Sequence, residues 1–135
     1  MANALYPKWK EQLLQFTTNN NLSAGTVKVA LVDTGTYTYS AAHQFYSSVT
    51  GVAGTPVTLG TKTFTNGVFD AGDATFSAVS NGSVTCEALI IYIDTGTAAT
   101  SPLVAYLDTG ITNMPVTPNG GDIVVQWNAS GIFGL

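Results

Sequence analysis

Apolar residues near the start of the chain recur at helical spacing. Leu5, Trp9, Leu13 and Phe16 stand three or four residues apart, while Lys8, Lys10, Glu11, Gln12 and Gln15 fill the other positions. That period predicts a short amphipathic helix over residues 4–18, ended by the asparagine run at 19–21. The period then changes to two. In "TVKVALVD", Val27, Val29 and Leu31 share one face and Lys28 and Ala30 the other, which predicts a strand with one wet side. "CEALIIYID" is apolar almost throughout, as a central strand buried on both faces would be. "PLVAYLD" and "DIVVQWN" add two more strands, the second sending Ile123, Val125 and Trp127 to one side. "VTLGTKTFTNGVFDAGDATFSAV" holds short alternating pieces cut by Gly60, Asn66-Gly67 and Gly72. Asn-Gly between threonine-rich strands predicts a tight hairpin. "TYTYSAAHQFYSSV" has no clean period and reads as a loop with a short helical turn near residues 42–46.

Short strands separated by Gly, Asn and Pro turns predict a mainly β protein: an antiparallel β-sandwich or jelly-roll-like domain with a short N-terminal amphipathic helix. The expected organisation is a helix and linker over residues 1–21 and a single β-sandwich domain over 22–135. A chain of 135 residues can bury a real core without staples. Its polar residues are mostly uncharged, with threonine foremost, which suits half-exposed strands.

Charge removes several partner classes. The formal charge is −4, there is no arginine, and Lys8, Lys10, Lys28 and Lys62 form no run, so no nucleic-acid partner is expected. No apolar run reaches the length that spans a bilayer, and "MANALYPKWKEQLLQF" carries charges where a signal peptide needs an apolar core. No membrane partner is expected, and synthesis in a reducing cytoplasm fits. Cys86 stands alone, which excludes an internal disulfide and predicts a buried, inert thiol.

One motif raises the question of catalysis. Asp-Thr-Gly occurs at Asp33, Asp94 and Asp108, each time straight after an apolar run. In aspartic proteases two such loops face each other and their carboxylates share a proton. Here Thr36, Thr97 and Ile111 follow the glycines, and separations of 61 and 14 residues do not make two equal lobes. The favoured reading is a strand-to-turn junction used three times, with Asp accepting from its own following backbone and Gly free to take positive φ. His43 is the only histidine, and Asp70, Asp73 and Asp122 match no calcium loop, so ordinary turn carboxylates are expected. No nucleophile, base and oxyanion donors come together in sequence. The chain is therefore expected to have no catalytic residues, cofactor or metal.

Aromatic residues outside the alternating strands are the remaining distinctive feature. Tyr37, Tyr39, Phe45 and Tyr46 cluster around His43 in the loop region. They read either as a cover over an open end of the core or as contact surface for a partner. The helix residues Leu5, Trp9, Leu13 and Phe16 pose the same choice, closing the sandwich of their own subunit or reaching to a neighbour, and Leu5, Tyr6, Trp9, Leu13, Tyr37, Tyr39, His43, Phe45 and Tyr46 are the candidate interface positions. Tyr37, Tyr39 and Tyr46 could alternatively serve as stacking platforms for a sugar, as in a host-surface glycan-binding module.

The blocks "VKVALVD", "AAHQF", "GVFDAGDATFSAV", "ALIIYIDTGTAATSPLVAYLDTG", "PVTPNGGDIVVQWN" and the closing "GIFGL" together resemble a widespread family of small tailed-bacteriophage structural proteins. The similarity runs over nearly the whole chain and is most specific from Ala88 to Trp127. It implies a non-enzymatic virion component, foremost a capsid-decorating or cement protein. Its implied partner is the major capsid protein, and its implied place the capsid surface, as repeated copies or a homo-oligomer. A head-fibre, neck or tail component is the alternative. The family offers no catalytic motif to carry over.

Overall fold

Residues 3–18, 20–80 and 84–135 are described in a computed structural model of the chain. The first element is not the helix but a two-residue strand, β1 (Ala4–Leu5), followed by helix α1 (Pro7–Gln15). Pro7 occupies the first turn, where its missing N–H is no loss. The helix is shorter than the expected 4–18 because Phe16 takes a left-handed conformation, φ 59°, and its N–H closes back on the carbonyls of Gln12 and Leu13. The asparagines therefore do not end the helix; Asn19 lies outside the described residues.

The strands that follow are β2 (Thr26–Val32), β3 (Val52–Thr58), β4 (Thr63–Thr65), β5 (Val68–Asp70), β6 (Ala74–Phe76), β7 (Ala88–Asp94), β8 (Leu103–Leu107), β9 (Ile123–Val125) and β10 (Phe133–Gly134). Pairing is antiparallel throughout. The main sheet has the order β1-β8-β7-β2-β3, with β10-β5-β4 and β6-β9 as smaller sheets. Mainly antiparallel β structure with one short N-terminal helix is thus what the chain adopts. The apolar strand β7 is the middle one, as its composition required, and all but its last residue are buried. Asn66 and Gly67, both at positive φ, form the two-residue turn joining β4 to β5.

Two expectations change. Strand β2 is wet on one side only over its first half, at Thr26 and Lys28; further along the same face Ala30 and Val32 are as fully buried as Val27, Val29 and Leu31. Lys28 escapes burial by reaching Asp94 at 2.9 Å. The short helical turn comes later than expected, as a 3-10 turn over Tyr46–Ser48.

The N-terminal segment expected to stand apart is continuous with the sheet. β1 pairs with β8, Tyr6 N–H donates to the Val104 carbonyl at 2.9 Å, and Tyr6 and Trp9 join the same core as the strands. Val104 offers that carbonyl at an irregularity where β7 advances one residue and β8 two. A comparable irregularity marks the far edge: between Val29 and Leu31 the partner register on β3 moves from Val57 to Ala53, spanning Gly54 at φ 68° and Pro56. No helix among the described residues is long and apolar enough to cross a membrane.

Candidate functional site

The three Asp-Thr-Gly units occupy strand ends. The Asp33 carboxylate accepts from the Gly35 N–H at 2.8 Å and from the Thr36 hydroxyl at 3.1 Å. The Asp94 carboxylate accepts from the Gly96 N–H at 2.9 Å in the same way, with Gly96 at φ 89°. At the third unit the Asn3 side-chain oxygen accepts from the backbone N–H groups of Asp108 and Thr109, and Gly110 has φ 74°. Register separates the carboxylates. Thr26 pairs with Asp94 and Val32 with Ala88, so Asp33 and Asp94 lie at opposite ends of a seven-residue ladder, roughly 20 Å apart. Asp33 and Asp108 share an edge, but β7 intervenes between β2 and β8, a separation of about 10 Å between strand axes. Two carboxylates must nearly touch to share a proton, and no pair of these does.

Two of the other turn carboxylates are also occupied with backbone. Asp122 accepts from the Ala78 N–H at 2.8 Å, tying the start of β9 to the segment after β6, and Asp70 accepts from the Ala71 N–H at 2.9 Å. Among the described residues no three of His, Cys, Asp and Glu stand close enough together to hold a metal ion.

The aromatic cluster is real, and it is layered. The Tyr6 and Tyr37 hydroxyls are 2.7 Å apart, and the Tyr37 hydroxyl lies 2.8 Å from His43 Nδ1. Tyr39 packs its ring on Tyr6 at 5.1 Å and on Tyr106 at 5.5 Å, while Tyr46 stacks on Tyr92 at 4.0 Å. Backbone bonds from Tyr46 N–H to Ser101 O and from Leu103 N–H to Gln44 O sew this loop to the β7–β8 connection. Burial pushes the phenols of Tyr6, Tyr37, Tyr46, Tyr92 and Tyr106 up from their ordinary value, Tyr6 most strongly because the Tyr37 hydroxyl adds to the burial.

This layering corrects part of the interface expectation. Tyr6, Trp9 and Tyr37 are 0%, 1% and 2% exposed, so they are core residues of their own chain and offer no surface. Their spacing marked them as apolar or aromatic, but a loop without a period carries no signal for which rings point inward. Leu5, Leu13, Tyr39 and Tyr46 are partly buried against the core, and His43 and Phe45 are half-buried. As sugar platforms, Tyr37 is lost to the core and Tyr46 has one face on Tyr92.

Beside the cluster a cleft of about 480 Å³ is walled by Thr34, Tyr39, Glu87, Tyr106 and Pro115, among others. Glu87 Oε2 accepts from the Thr34 hydroxyl at 2.9 Å. Neither protein-family models nor curated proteins yield a match to this chain.

A second surface lies at the end of the helix. Phe16, expected either to close the core or to reach a neighbour, is 95% exposed, because the left-handed turn at its own Cα swings it off the helical stripe. Around it Leu135 is 75% and Phe64 48% exposed, and these residues border an apolar groove of about 290 Å³ floored by Trp9, Leu13 and Leu22. Phe64 sits on β4, whose partner Phe69 is buried under it at a ring distance of 5.4 Å. A strand pattern of period two would have predicted one exposed aromatic there; nothing local predicts that Phe16 and Leu135 join it.

Proposed function

We propose that this chain is a non-enzymatic structural component of a tailed-bacteriophage virion, a decoration or cement protein that binds the major capsid protein lattice in repeated copies and stabilises the head. The carrying observation is the resemblance of the Ala88–Trp127 block, which here supplies β7, β8 and β9 and the turns between them. The engagement of the Asp33 and Asp94 carboxylates in their own turns supports a scaffold reading of the motif. A sparsely charged, arginine-free surface also suits a subunit that must pack side by side many times. The mechanism is mechanical: half-buried rings such as Tyr39, Phe45 and Tyr46 add modest contacts, and many copies sum them by multivalency.

The test is a count by absolute quantitative mass spectrometry of purified particles, this chain against the major capsid protein. A ratio near one, or a simple fraction of it, is expected. About a dozen copies or fewer per particle would match the closed ring of a neck or tail and replace the decoration reading with that one. Absence from the particle would overturn both.

A further inference from the structure

The surface around Phe16 combines three features that rarely coincide without a reason. The first is strain. A bulky residue at positive φ is an outlier, and glycine or asparagine would close the helix more cheaply. The second is exposure of that same side chain, so its own chain gains no burial in return. The third is composition: no ionisable side chain lines the groove among the described residues, and the indole Nε1 of Trp9, buried at its floor, finds no acceptor there.

We propose that two copies of this chain dock through this surface about a two-fold axis, each Phe16 ring entering the groove of the other copy. Area and shape both select a second copy. Phe16 and Phe64 at their observed exposures leave roughly 300 Å² of aromatic surface in water, and with Leu135 roughly 400 Å². Two such patches face to face bury about 800 Å², and the polar rim of Asn20, Asn21 and Ser23 brings the contact towards the size at which a specific interface begins. A protruding ring beside a hollow of about 290 Å³ is complementary to itself under two-fold rotation, since one operation fills both hollows. The inference does not rest on the virion reading.

The test is sedimentation equilibrium of the purified full chain from about 1 µM to about 1 mM. The wild type is expected to pass from monomer to dimer within that range, and Phe16→Asn to weaken the dimer by at least about tenfold. Phe16→Asn keeps the left-handed turn, so a folding failure is not the expected route to loss; matched thermal melts confirm this. A second variant, Phe64→Lys, places a charge at the rim from another element and is expected to act in the same direction. A photo-crosslinking phenylalanine analogue at position 16 should attach to Leu22 or Phe64 of a second copy. A wild type that stays monomeric throughout overturns the proposal. So does a dimer whose affinity ignores Phe16→Asn, because its interface then lies elsewhere.

Discussion

Tyr37 sits between the buried Tyr6 hydroxyl and Nδ1 of the half-buried His43. Tyr37→Phe keeps the ring but strands both partners, and is expected to lower unfolding free energy by about 1–3 kcal/mol in urea titrations. Tyr39→Phe, on a half-buried ring of the same cluster, should stay within about 0.5 kcal/mol, so the pair reads the hydrogen bond rather than the aromatic packing. Cys86 gives a simpler residue-scale outcome. Its thiol is fully buried and pushed up to about 11 by burial first and then by the Asp33 and Glu87 carboxylates. It should remain unmodified by a thiol reagent in the native protein at neutral pH and react stoichiometrically in denaturant. The buried thiol and the turn role of the Asp33 and Asp94 carboxylates were legible in the sequence, because both follow from local chemistry. The division of the aromatic cluster into Tyr6 and Tyr37 inside and Tyr39 outside was not, because it depends on which strands the loop crosses.

At the scale of elements, the helix is where sequence and structure diverge most. Its apolar spacing correctly marked Trp9 as a packing residue, and the ring lies edge-on to Phe133 at 5.8 Å, under the last strand. Trp9→Ala should therefore cost about 3–5 kcal/mol, read as a large fall in urea midpoint, where Phe16→Asn about two turns later leaves stability unchanged or raises it by up to about 1 kcal/mol. Equal losses from the two variants would show that Phe16 is packed after all. The same spacing rule placed Phe16 beside Trp9 because it assumes the helix continues, and a left-handed residue breaks that assumption at the position it was meant to predict. For β2 the alternation holds only in part: the face of Thr26 and Lys28 meets water at the start of the strand, but the cover over its second half tolerates Ala30 and Val32 as readily as Val29. The central place of β7 was legible because an unbroken apolar strand has no other place to go.

The whole molecule should be more vulnerable to alkali than to acid. On the acid side Asp94 is the group held below the usual carboxylate range, by the Lys28 ammonium first and the Gly96 N–H next. Its folded form holds its proton less tightly than the unfolded chain, so its stabilising contribution is present above about pH 4 and is lost as pH falls through the depressed value. On the alkaline side several groups act together. Cys86 and the buried tyrosines are raised, so the unfolded chain releases protons that the folded one keeps. Their contribution is complete below about pH 8.5 and drains away as pH climbs through the raised values. Urea midpoints measured across pH should show a plateau near neutrality with the steeper fall above it, and Asp94→Asn should flatten only the acid limb. A mainly β architecture was legible at this scale, while the sheet order was not, since pairing joins β1 to β8 and β2 to β7 across more than fifty residues. That order also leaves the main sheet with two rims. One is the two-residue β1; the other is β3, broken by Gly54 and Pro56 where a ladder would need regular donors. Neither rim of the main sheet offers a regular ladder to a passing strand, so fibril growth should not start there even when the protein is crowded to millimolar local concentration.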